Sequence, residues 1–65
     1  MNNQPNITVT GERAVAYALR TGVQLWVRNP QRGWVRNFHP HVAKRIMQFN
    51  PQSPALANYG VADDD

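Results

Sequence analysis

The sequence predicts a small single domain of the α+β class, ordered strand, helix, β-hairpin, helix. Two observations predict it: apolar residues recur at helical spacing in two segments, and two runs of alternating apolar and polar residues flank a turn sequence. We expect a three-stranded antiparallel sheet with both helices packed on one face. We divide the chain into a flexible N-terminus (residues 1–6), a compact basic domain (7–50) and an extended, proline-containing arm with an acidic end (51–65).

The first two predicted elements are a short strand and a helix. Residues 7–10 alternate β-branched apolar and polar side chains, which is typical of a strand. Residues 11–21 carry the helical spacing, with Thr10 as the expected N-cap and Gly22 as the expected left-handed residue after the helix. The residues that recur at helical spacing are Ala14, Val15, Ala18 and Leu19.

A β-hairpin is predicted next, from residues 23–28 and 34–38. Both runs change to a period of two, and a turn sequence separates them. Within that sequence Asn29 begins the turn, Pro30 presets φ, and Gly33 accommodates a positive φ that returns the chain to the ladder.

The length of the hairpin loop decides which side chains share a face. A five-residue loop pairs Arg28 with Trp34 and Trp26 with Arg36, on the face opposite the apolar one. A four-residue loop would shift the pairing by one residue and split this cluster. The five-residue loop therefore predicts a face on which tryptophan and arginine are cross-strand neighbours.

The second predicted helix starts at Pro40, which suits the first turn of a helix, and ends before Asn50. The arm that follows has two prolines and no sustained period, and we expect it to dock, if at all, through Leu56 and Tyr59. The expected core of the domain consists of Val15, Leu19, Val23, Leu25, Val27, Val35, Val42, Ile46 and Phe49.

Charge is segregated along the chain. The formal net charge is +3, but three of the four carboxylate side chains are Asp63, Asp64 and Asp65 at the C-terminal end. Residues 1–62 hold all seven cationic side chains and only Glu12, a formal charge of +6. A basic body predicts an anionic partner, and a tethered acidic tail predicts either competition for the same surface or a solubilising end.

Composition argues against several other functions. The chain has no cysteine, one serine and one carboxylate outside its acidic end, so we expect no enzyme, no cofactor and no metal site. No segment approaches the ~20 apolar residues of a membrane span, and the N-terminus has no signal-peptide pattern. We expect a soluble, cytoplasmic protein with no membrane partner.

The candidate binding residues are the cations and the aromatics beside them. In the hairpin they could form a platform for single strands or the wing of a winged DNA-binding domain; otherwise the tryptophans complete the core and the arginines stack on their rim. On the helices they could contact a phosphate backbone or simply be solvated. The candidates are Trp26, Arg28, Arg32, Trp34 and Arg36 in the hairpin, Arg13, Tyr17 and Arg20 on the first helix, and Lys44 and Arg45 on the second.

Two functions fit these residues. The leading hypothesis is a nucleic-acid-binding accessory or regulatory protein, because arginine and tryptophan together contact phosphates and bases. The alternative is a protein-interaction module, such as an adaptor, inhibitor or assembly component, because the same residue types are enriched in protein interfaces. A homo-oligomer is a further alternative for a chain whose core is this small.

Overall fold

The computed structural model describes residues 4–62 as one small α+β domain with two α-helices and an antiparallel sheet. The elements in chain order are β1 (Ile7–Thr10), α1 (Glu12–Thr21), β2 (Leu25–Asn29), β3 (Gly33–Asn37), α2 (Pro40–Phe49), a 3-10 helix (Pro54–Asn58) and β4 (Tyr59–Ala62). The predicted class is confirmed. Within the described residues, no helix is both long and apolar enough to cross a membrane.

The sheet has four strands in the order β1-β4-β2-β3, so the predicted three-stranded sheet is wrong. The segment expected to be an extended arm instead forms the 3-10 helix and then β4, which lies between β1 and β2 and pairs antiparallel with both. Ser53 begins the 3-10 helix, since its Oγ accepts a hydrogen bond from the Ala55 N–H. Four residues that contain a glycine carry little strand signal of their own, and β4 forms because two strands pair with it.

Helix α1 packs across one face of the sheet, against β1, β4 and β2. Its predicted C-cap is confirmed, because Gly22 has φ 82° and its N–H donates to the Ala18 carbonyl. The N-cap is Gly11 rather than Thr10. Gly11 has φ 84°, and its N–H donates to the Tyr59 carbonyl, which ties the start of α1 to β4.

The predicted start of α2 at Pro40 is confirmed, but the helix does not bury Val42 and Phe49, which were expected in the core. It packs chiefly on α1 and the 3-10 helix, and it buries Ala43, with Ile46 and Met47 partly buried. Val42 and Phe49 face solvent instead. The buried stripe of α1 consists largely of alanines, and small side chains let a neighbouring backbone approach closely.

The core differs from the expected one because the C-terminal segment enters it. Val15 and Leu25 are buried as predicted, Val23, Val27 and Ile46 pack partly buried against the core, and Leu19 is exposed. Val35 is half-buried. The buried apolar residues of the described part of the chain are Ala14, Val15, Ala18, Leu25, Ala43, Leu56, Tyr59 and Val61.

We predict that Leu56→Ala lowers the free energy of unfolding by about 2–5 kcal/mol, because Leu56 is only 2% exposed and its removal leaves a cavity. Phe49→Ala is the matched control and should cost under about 1 kcal/mol, because Phe49 is 84% exposed. Urea denaturation of both variants measures the difference. Equal costs would mean that the segment after α2 does not complete the core.

Candidate functional site

The hairpin holds the predicted tryptophans and arginines in the register that groups them. β2 and β3 pair with Arg28 opposite Trp34 and Trp26 opposite Arg36, as the five-residue loop predicted. The turn is stabilised by Asn29, whose Oδ1 accepts hydrogen bonds from the N–H groups of Gln31 and Arg32. These four paired side chains lie on the face opposite Leu25 and Val27, which point into the core, and we call this side the outer face of the sheet.

Each cross-strand pair on the outer face is a cation–π contact. The Arg28 guanidinium carbon lies 4.9 Å from the Trp34 ring centroid, and that of Arg36 lies 5.9 Å from the Trp26 ring centroid. Both arginines are exposed and both tryptophans are half-buried. The tryptophans are therefore outside the buried core, and a guanidinium stacks on each of them.

Trp34 rests on Gly60 of β4. A methyl group built on Gly60 would lie 2.7 Å from Ile7 Cγ2 and 3.2 Å from two ring carbons of Trp34. Ile7 reaches this face because the β1–β4 register shifts between Ile7 and Val9. The absence of a side chain at Gly60 thus lets the indole lie close to the sheet.

Gln4 binds the outer edge of β3 through its side chain. Its Oε1 accepts a hydrogen bond from the Trp34 N–H at 2.6 Å, and its Nε2 donates to the carbonyls of Arg32 and Trp34 at 3.1 and 3.4 Å. β1 and β3 are opposite edges of the sheet, ~14 Å apart at the usual strand spacing, so residues 4–6 must cross one face to reach β3. They cross the outer face, since α1 covers the other and Ile7, where β1 begins, already lies on the outer face beside Gly60.

The remaining candidate residues do not join the outer face. Arg32 is exposed in the hairpin loop, next to that face. Arg13, Lys44 and Arg45 are exposed on the two helices, on the other side of the molecule. Arg20 stacks on Tyr17, its guanidinium carbon 5.5 Å from the ring centroid.

A cleft of about 550 Å³ opens at the end of the sheet away from the hairpin loop. Its lining includes three valines, two aromatic residues and several polar or small residues. These residues are Val9, Val23, Val61, Tyr17, Trp26, Gln24, Pro5, Asn6, Thr8 and Ala62. Sequence analysis missed this cleft, because its walls come from β1, α1, β4 and the residues before β2. In this cleft Tyr17 of α1 and Trp26 of the hairpin line the same space.

Acidic side chains are scarce around these arginines. Between residues 4 and 62 the only carboxylate side chain is that of Glu12, at the start of α1 on the helix side of the sheet. The acidic tail Asp63, Asp64 and Asp65 lies outside the described residues. Within those residues the outer face is therefore cationic and aromatic.

Comparisons with known proteins give no relative from which a function could be transferred. No family model matches the chain, and neither the curated proteins nor the solved structures contain a significant match. The function has to be argued from the outer face itself.

We predict that Gly60→Ala destabilises the fold by about 1–3 kcal/mol, because the added methyl group overlaps Ile7 and crowds Trp34. The Trp34 indole N–H resonance should shift in the NMR spectrum. Ile7→Ala removes the overlapping methyl group, so the double variant should be less destabilised than the sum of the two single variants. Strictly additive changes in the free energy of unfolding would show that the methyl group added at residue 60 does not overlap the Ile7 side chain.

Proposed function

We propose that this protein binds single-stranded nucleic acid, without catalysis, on the outer face of its sheet. The observation that carries the proposal is the pair of arginine–tryptophan contacts on the outer face, Arg28 with Trp34 and Arg36 with Trp26, in which both arginines are exposed. The basic charge of the chain outside its acidic end supports the same proposal.

The chemistry of each pair suits a nucleotide. A guanidinium that stacks on an indole uses its flat face for that contact and keeps its N–H groups, which lie in its plane, for the oxygens of a phosphate. The outer side of the stacked guanidinium is also available to a base, because an unpaired base can stack on an arginine plane as it does on an aromatic ring. One pair can thus contact both parts of one nucleotide.

Single strands fit this face better than a duplex does. The bases of a duplex are stacked on one another, whereas an unpaired base can turn outward and lie on an aromatic ring. A winged domain would use the hairpin tip. Here the two tryptophans lie on the strands, and of the candidate residues in the hairpin only Arg32 lies in the loop. The arrangement therefore favours the platform over the wing.

We predict that Arg28→Ala/Arg36→Ala weakens binding to a single-stranded oligonucleotide at least about tenfold and flattens its salt dependence. Each lost phosphate contact should reduce the slope of log K against log salt by about 0.7. Fluorescence anisotropy with a labelled oligonucleotide, over a salt series, measures both quantities.

The matched control removes the same charge from the other side of the molecule. Arg13→Ala/Arg45→Ala replaces two exposed arginines of the helices and should retain most of the affinity. Circular dichroism checks that both double variants are folded. Equal losses from the two variants would point to net charge alone and would contradict a site on the outer face.

We also predict that Asp63→Asn/Asp64→Asn/Asp65→Asn strengthens binding, because it raises the formal net charge from +3 to +6. Added salt should remove most of the gain, since salt screens exposed charges over ~8 Å at physiological ionic strength. The same anisotropy titration measures it. Unchanged affinity at low salt would exclude the tail as a competitor for the binding face.

A protein-interaction module is the second candidate, and one observation favours it. Phe38 is 72% exposed and Phe49 is 84% exposed, and solvent-exposed phenylalanines are typical of protein contact sites. If this function is the correct one, nucleic-acid binding should be no tighter than ~10⁻⁴ M at physiological salt. A defined complex with a protein should then depend on these two phenylalanines.

A further inference from the structure

We propose that the cleft between Tyr17 and Trp26 receives one unstacked base of the bound single strand. This inference rests on the proposed function and adds a particular position to it. The cleft belongs to the same binding surface, because Trp26 both lines it and carries Arg36 on the outer face.

The size and lining of the cleft suit a planar, partly polar ring. Its volume of about 550 Å³ lies within the ~300–1,000 Å³ typical of small-molecule clefts. Val9, Val23 and Val61 provide apolar contact, and Tyr17 and Trp26 provide aromatic rings. A base has this combination of an apolar face and polar edges.

Gln24 offers a hydrogen-bond acceptor for the edge of that base. Its Nε2 donates to the carbonyls of Leu25 and Asn37, at 2.8 and 3.1 Å. These bonds hold the amide in place, and within residues 4–62 its Oε1 has no hydrogen-bond partner. An amino group on a base, such as that of adenine or cytosine, can donate to this oxygen.

Charge beside the cleft complements a nucleotide. Arg20 lies against Tyr17 and Arg36 lies against Trp26, so a guanidinium stands next to each aromatic wall. Among residues 4–62, no residue that lines the cleft carries a carboxylate side chain. A phosphate of the bound nucleotide would therefore lie near a guanidinium beside either aromatic ring.

The side chains along β2 give a bound single-stranded nucleic acid a direct path to the cleft. On the outer face the order away from the hairpin loop is Arg28, Trp26 and then Gln24, a distance of roughly 13 Å at the usual rise per residue. A strand that contacts Arg28 and stacks at Trp26 would reach the cleft with its next base. The cleft thus lies at the end of the row of outer-face residues that the nucleic acid would follow.

The test is a set of labelled single-stranded oligonucleotides, each with one abasic position, titrated against the wild-type protein and Tyr17→Ala. We expect one position at which loss of the base weakens wild-type binding by roughly 5- to 100-fold, the range for one stacked base. Tyr17→Ala should weaken binding of the intact oligonucleotide and should lose most of this position dependence. Leu19→Ala is the control, because Leu19 is exposed on the same helix and does not line this cleft.

A second measurement tests the cleft with a single nucleotide, which is too small to contact the rest of the outer face. Adenosine 5′-monophosphate should shift the amide NMR signals of Val23, Gln24 and Ala62, and inorganic phosphate at the same concentration should not. Tyr17→Ala should abolish these shifts.

The outcomes separate this inference from the function on which it rests. Tight wild-type binding with no sensitive position, and with Tyr17→Ala equal to wild type, would overturn the cleft and leave the outer face as the binding site. If the wild-type protein binds none of the intact oligonucleotides, the proposed function fails and the inference fails with it.

Discussion

The pairing of β4 with strands on both of its sides is the interaction on which the rest of the structure depends. Within residues 4–62, β1 pairs only with β4, and the hairpin joins the rest of the sheet only through the pairing of β2 with β4. Tyr59 and Val61 of β4 enter the core, and Tyr59 also accepts the hydrogen bond that ties Gly11 to the sheet. On the opposite side of the same strand, Gly60 supports Trp34. One four-residue strand therefore completes the core and shapes the candidate binding face.

Local interactions explain which parts of the fold could be predicted from the sequence. The hairpin, the glycine after α1 and the proline at the start of α2 depend on residues close to one another in the chain, and all three were predicted correctly. The hairpin has the register of the five-residue loop, one of the two that the sequence left open. β4 was missed because its strand conformation depends on partners far away in the sequence. The orientation of α2 was wrong because the prediction chose large apolar residues, whereas the helix buries Ala43.

The candidate site, like the fold, could be predicted only where it depends on residues close together in the sequence. The alternation of tryptophan and arginine along two strands placed both pairs on one face only for a five-residue loop, and the structure has the register of that loop. Sequence reasoning did not show that the helix cations lie on the other side of the molecule, since that depends on how α1 and α2 pack. The cleft and the contact from Gln4 also went unpredicted, because each joins segments that are distant in the sequence.

The contact from Gln4 bears on whether another strand can add to the sheet at β3. An edge strand exposes main-chain N–H and C=O groups that a second chain could pair with, which is a route to aggregation. At Trp34 both groups are bonded to the Gln4 amide, which presents a donor and an acceptor as a neighbouring strand would. An incoming strand would have to displace this side chain before it could extend the sheet beyond β3. A single glutamine thus protects the edge of the hairpin next to its exposed cations and leaves their guanidinium groups open.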